Sequence, residues 1–118
     1  MTLEELGRRA VACRHWHWLP GMLVDGIRID GTCHLVGGLG KPWRQEDFRE
    51  VICDKCVPDL SDPATLGCLL ALVREAWAND TMHARPEGDR WRVWSEEPGA
   101  FVFGTEAEAL VAALEAAP

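Results

Sequence analysis

Apolar residues recur at helical spacing in three segments of the chain, and segment 63–78 shows the pattern most clearly. Asp62 supplies an N-cap oxygen, and Pro63 sets φ at the first helical position. The apolar residues that follow form a single stripe along a helix, made of Leu66, Leu69, Leu70, Val73, Ala76 and Trp77. The pattern therefore predicts a helix that packs this stripe against a core.

Capping boxes predict two further helices, one near each end of the chain. Thr2 is followed by Glu5, and Thr105 is followed by Glu108, so helices are expected over residues 2–13 and 105–117. Alanines surround the apolar stripe of the last helix and leave several of its sides open to close approach. Because twofold dimers are the commonest assembly, we expect a homodimer.

Alternating residues and turn dipeptides predict five short strands between these helices. Asp-Gly pairs at 25–26 and 30–31 separate three segments, 22–24, 27–29 and 32–36. Segments 91–94 and 100–103 predict two more strands, whereas the polar segment 79–89 is expected to be a mobile loop. The order is α-βββ-α-ββ-α. It predicts one α+β domain over residues 1–118, with a small antiparallel sheet of about five strands and three helices on one face.

Composition excludes several classes of protein. The net charge of the 118 residues is −7, which argues against non-specific binding of nucleic acid, because such binding needs cations to neutralise phosphates. No apolar run approaches the roughly 18 residues of a membrane span, and no signal-peptide pattern opens the chain. We expect a cytoplasmic protein whose five cysteines are thiols or metal ligands.

Cys53 and Cys56 carry the sharpest chemical pattern, because two cysteines at this spacing can hold one edge of a tetrahedral zinc site. Cys33 and His34 are candidates for the remaining ligands, although on a strand they point to opposite faces. Cys13, His15 and His17 are a second source of ligands. The alternative is that Cys53 and Cys56 are small packing residues on one turn.

Tryptophans beside arginines form the second candidate site. Trp16 and Trp18 lie in a turn that Pro20 fixes, and Arg92 and Trp94 alternate along a predicted strand, on the face opposite the core. Such a surface suits an anionic planar ligand or an acidic patch on a partner. The alternatives are that the tryptophans of the turn fill the core, and that Arg92 and Trp94 only stack on each other.

Three segments carry a resemblance to known proteins: WLPGM at 18–22, PDLSDPATLGCLLALVREAW at 58–77 and TEAEALVAALEAAP at 105–118. They resemble a family of small proteins of unassigned function that are encoded in phages and prophages of GC-rich bacteria. The resemblance implies a phage accessory protein in the host cytoplasm. It carries over no catalytic or binding residues.

The motifs favour binding over catalysis. The chain contains no GxSxG, Walker loop, dinucleotide fingerprint or HExxH, and a hydrolase with His15 or His17 as base would lack a visible nucleophile. We expect a non-enzymatic protein that occupies a host factor or a small anionic, nucleotide-like ligand, with a role against host defence. The alternative is a zinc-stabilised protein-interaction module built on Cys53 and Cys56.

Overall fold

A computed structural model describes residues 1–24, 27–29, 35–36, 56–95 and 100–118. In these residues the helices are α1 (Leu3–Ala12), α2 (Pro63–Ala76) and α3 (Glu106–Ala116). The strands are β1 (Leu23–Val24), β2 (Ile27–Ile29), β3 (Leu35–Val36), β4 (His83–Glu87), β5 (Arg90–Trp94) and β6 (Ala100–Phe103). None of the described helices has both the length and the apolar character needed to cross a bilayer.

The three predicted helices are confirmed, and each begins at its predicted cap. Thr2 accepts from the N–H of Glu5 at 3.1 Å, and the Glu5 carboxylate accepts from the N–H of Thr2 at 3.0 Å. Asp62 and Thr105 accept from the backbone N–H three residues later, at 3.0 and 3.2 Å. These contacts satisfy N–H groups that have no partner inside the helix.

The buried face of α2 differs slightly from the predicted stripe. Leu69, Leu72 and Val73 are buried together with Thr65, whereas Leu70 is only half-buried. The reason lies in the first strand: the Thr65 hydroxyl accepts from the N–H of Leu23 at 2.9 Å, which turns this side of the helix inward.

The α+β class is confirmed, but a single sheet of about five strands is not, because the described strands form two antiparallel sheets of three. One sheet has the order β1-β2-β3 and the other β4-β5-β6. Of the strand predicted at 32–36, Leu35 and Val36 lie within the described residues.

Strand β4 lies in the segment that was expected to be a mobile loop, so that expectation is wrong for residues 83–87. A two-residue turn, Gly88-Asp89, joins the paired residues Glu87 and Arg90. Gly88 has a φ of +63°, a conformation that glycine adopts without strain and that suits a tight hairpin. The turn brings β4 and β5 together as a hairpin.

Helix α3 is the centre of the fold, because it contacts α1, α2 and the sheet β4-β5-β6. Its alanines at 107, 109 and 113 are buried within the chain. The Trp77 indole N–H also donates to the carbonyl of Ala113 at 2.8 Å. These three small residues therefore pack internally, whereas Ala112 is half-buried and Ala116 is exposed, and the homodimer stays a prediction.

Candidate functional site

The sheet β4-β5-β6 has one face against the core and one face away from it. On the inner face, Val93 is fully buried and pairs with Ala84 and Phe101, and helix α3 packs on this side. Residues that pair across strands share a face, and alternate residues take opposite faces. The residues of the other face, here called the outer sheet face, are His83, Arg85, Glu87, Arg90, Arg92, Trp94, Ala100 and Val102.

Arg92 and Trp94 lie together on the outer sheet face, as the alternation predicts, and they stack on each other. The guanidinium carbon of Arg92 is 5.2 Å from the centroid of the Trp94 ring. The ring of His83 lies 4.0 Å from the same centroid, and Glu87 lies 3.4 Å from Arg92 Nη1. Stacking of this kind holds the guanidinium in a defined position. The side chain of Arg92 is still 40% exposed.

The outer sheet face concentrates positive charge. Arg85 pairs directly across the strands with Arg92, and Arg90 lies two residues before Arg92 on β5. Within the described part of the chain, Glu87 is the one carboxylate at ion-pair distance from these three arginines. Like charges directly opposite each other destabilise a sheet. A local conflict of this kind, in a chain of net charge −7, is typical of a functional surface.

The turn after α1 does not present both of its tryptophans. Trp18 is 1% exposed and lies in the core, so its prediction as a binding residue is wrong. Trp16 is half-buried and packs edge-on against Trp18, with ring centroids 5.2 Å apart. The turn is held to α2 by His17, whose Nε2 is 2.9 Å from the Glu75 carboxylate. The ring of Trp18, which was expected at the surface, is therefore part of the hydrophobic core.

Two adjoining clefts flank this turn, with volumes of about 510 and 450 Å³, and both are lined by Arg14 and His15. The carboxyl ends of all three helices border them. Arg14 Nη2 and His15 Nε2 lie 3.5 and 3.4 Å from the carbonyl of Ala117, just past the end of α3. Because helix C-termini carry partial negative charge, cations here stabilise the helices. The clefts are thus less suited to an anion than the outer sheet face.

The zinc prediction falls mostly on residues that the structure does not describe. Cys53, Cys33 and His34 lie outside the described residues, and Cys56 is half-buried. Cys13 donates to the carbonyl of Leu114 at 3.6 Å. Within the described ranges, no three His, Cys, Asp or Glu side chains are grouped to hold a metal ion. A zinc site that uses Cys53 and Cys56 stays a prediction.

Sequence reasoning missed four residues of the outer sheet face: His83, Arg85, Glu87 and Arg90. Three of them lie on β4, which the polar composition of residues 79–89 concealed, and Arg90 precedes the predicted strand 91–94 by one residue. The signal that could have found them is the Gly88-Asp89 dipeptide, a two-residue hairpin turn directly before a predicted strand.

Comparison of the chain with protein-family models, with curated proteins and with solved structures found no match.

Proposed function

We propose that the chain is a non-enzymatic binding protein that captures a small anionic, nucleotide-like ligand on its outer sheet face. The observation that carries the proposal is the group of Arg85, Arg90 and Arg92 on one open face, with Trp94 and His83 beside them. In keeping with the resemblance to phage proteins, the protein would act in the host cytoplasm. It would withdraw a ligand that a host factor or a host defence needs.

Charge decides between a small ligand and a long polyanion. The whole chain carries −7, so an extended nucleic acid would be repelled by the rest of the surface. A small ligand experiences mainly the nearby arginines, because salt screens interactions beyond about 8 Å at physiological ionic strength. The outer sheet face therefore favours a compact anion.

The stacked side chains also reduce the entropic cost of binding. Arg92 is held between the Trp94 ring and the Glu87 carboxylate, so fewer rotamers are lost when it meets a ligand. Preorganised guanidinium groups recognise planar or tetrahedral anions through paired N–H donors.

Capture, not catalysis, fits the residues present. Thr81 lies beside His83, but it contacts His83 Nδ1 through its backbone carbonyl at 2.9 Å, and its hydroxyl donates to the Asn79 side chain. The carboxylate of Glu87 is engaged with Arg92. Binding is thus the chemistry that these side chains support.

Thermal denaturation with a panel of nucleotides tests the proposal. We expect nucleotides to raise the melting temperature of the native chain and of Arg8→Gln, since Arg8 is an exposed arginine that pairs with Glu4 on α1. Arg92→Gln removes the same charge from the outer sheet face and should abolish the increase. Equal stabilisation of all three proteins would place the site elsewhere, and no stabilisation of any would contradict the small-ligand function.

A further inference from the structure

We infer that the group recognised on the outer sheet face is a phosphate monoester in its dianionic form, held between Arg85 and Arg92. This inference rests on the proposed function and specifies its ligand. It concerns the phosphate group itself, which either a small metabolite or a phosphorylated side chain of a host protein can carry.

The register of the hairpin supplies the geometry. Arg85 on β4 is directly opposite Arg92 on β5, and such side chains start from Cβ atoms about 4.5–5.5 Å apart. Each guanidinium is a planar fork that can donate two parallel hydrogen bonds. A terminal phosphate offers three acceptor oxygens, so two forks can share one phosphate group from opposite sides. A carboxylate offers only two oxygens and can satisfy one fork.

The charge balance of the face favours a dianion over a monoanion. Among the described residues of this face, three arginines accompany one carboxylate, which leaves an excess of two positive charges from these side chains. Arg85 is exposed, and among the described residues it has no carboxylate at ion-pair distance. A ligand with two negative charges balances this excess, whereas a ligand with one balances only half of it.

The aromatic side chains point to the phosphate rather than the base as the recognised part. Trp94 is already contacted by Arg92 at 5.2 Å and by His83 at 4.0 Å, so its ring serves mainly to hold Arg92. The Arg85 side chain, in contrast, is exposed, and 40% of the Arg92 side chain is exposed, although its Nε is buried.

Calorimetric titration with phenyl phosphate and phenyl sulfate tests the inference, because the two probes share a shape and differ in charge. At about pH 8 the phosphate is a dianion, since its second pKa is about 6, and the sulfate carries one charge. We expect phenyl phosphate to bind about tenfold or more tightly than phenyl sulfate, the ratio that one charge-assisted hydrogen bond produces. Arg85→Gln and Arg92→Gln should each remove this preference, and Arg8→Gln should keep it.

One further variant separates charge from geometry and controls for misfolding. Arg85→Lys keeps the charge and loses the fork, so we expect it to lose part of the preference for phenyl phosphate while its circular dichroism spectrum is unchanged.

Adenosine monophosphate and a short phosphoserine peptide present the same phosphate group on two scaffolds. Tighter binding of one identifies the source of the ligand, and equal binding identifies the phosphate group alone.

The outcomes distinguish this inference from the proposed function. Equal binding of phenyl phosphate and phenyl sulfate that still depends on Arg92 overturns the dianion clamp and leaves an anion-binding face. A preference for phosphate that survives both Arg85→Gln and Arg92→Gln also overturns the clamp. If neither probe nor any nucleotide binds in an Arg92-dependent way, the inference and the proposed function are both wrong.

Discussion

Replacement of Asp62 should destabilise the fold more than replacement of any exposed acid, because one carboxylate joins a helix to a sheet. Asp62 caps α2 by accepting from the N–H and the hydroxyl of Thr65, at 3.0 and 2.8 Å. It also accepts two hydrogen bonds from Arg28 on β2, both at 2.9 Å. The Asp62 side chain is only 13% exposed.

The size of the effect follows from the groups left behind. Loss of an N-cap costs about 0.5–2 kcal/mol. In Asp62→Ala the hydroxyl of the buried Thr65 also loses its acceptor, and an unsatisfied buried donor costs about 1–3 kcal/mol. We therefore expect Asp62→Ala to lower the free energy of unfolding by about 2–4 kcal/mol. Asp62→Asn keeps an acceptor for the cap and should lower it less.

The contribution of the Asp62 charge depends on pH with a definite sign. Hydrogen bonds from the Arg28 guanidinium, with smaller contributions from Thr65, hold the pKa of Asp62 well below its ordinary value of 3.8. Because the pKa of Asp62 is lower in the folded state, the stabilisation by its charge is fully present above the pKa of the unfolded chain. The stabilisation is lost as the pH falls from that value towards the pKa of the folded state. The difference in stability between the native chain and Asp62→Asn should thus be full at about pH 7 and shrink below about pH 4.

Urea denaturation followed by circular dichroism measures both effects. Asp80→Asn is the matched control, because Asp80 is an exposed acid in a turn outside the helix cap. An unchanged urea midpoint for Asp62→Ala would refute the structural role of the cap. A difference between the native chain and Asp62→Asn that stays constant on acidification would refute the role of the charge.

Three further predictions concern packing and assembly. Leu69→Ala should lower the free energy of unfolding by about 2–5 kcal/mol, and the half-buried Leu70→Ala by less; equal losses in urea denaturation would contradict the observed face of α2. Trp77→Phe removes the donor to the Ala113 carbonyl and should cost about 1–3 kcal/mol; an unchanged melting temperature would show that this bond contributes nothing. We expect a homodimer in light scattering at high micromolar concentration; a monomer would remove this expectation.

Local chemistry made the helices predictable. The caps at Thr2, Asp62 and Thr105 act through contacts three residues away, so the sequence contains both partners of each contact. The face that α2 buries was less predictable. It depends on the contact between Thr65 and Leu23, which are 42 positions apart along the chain.

The candidate site was only partly predictable for the same reason. Alternation placed Arg92 and Trp94 on one face, because period-two geometry is local. The pairing that adds Arg85 and His83 needs strand β4, whose polar residues give no alternating signal. For Trp18 the sequence predicted a surface position, and only the tertiary packing shows that its ring lies in the core.

A titration with inorganic phosphate, followed by two-dimensional ¹H–¹⁵N NMR, tests the central claim most directly. It reports where on the molecule an anion binds without requiring the natural ligand. Binding on the outer sheet face predicts shifts of the Trp94 indole N–H and of the backbone amides of β4 and β5, and these shifts should vanish in Arg92→Gln. Shifts confined to the Arg14 and His15 clefts, or no shifts on the outer sheet face, would contradict the claim.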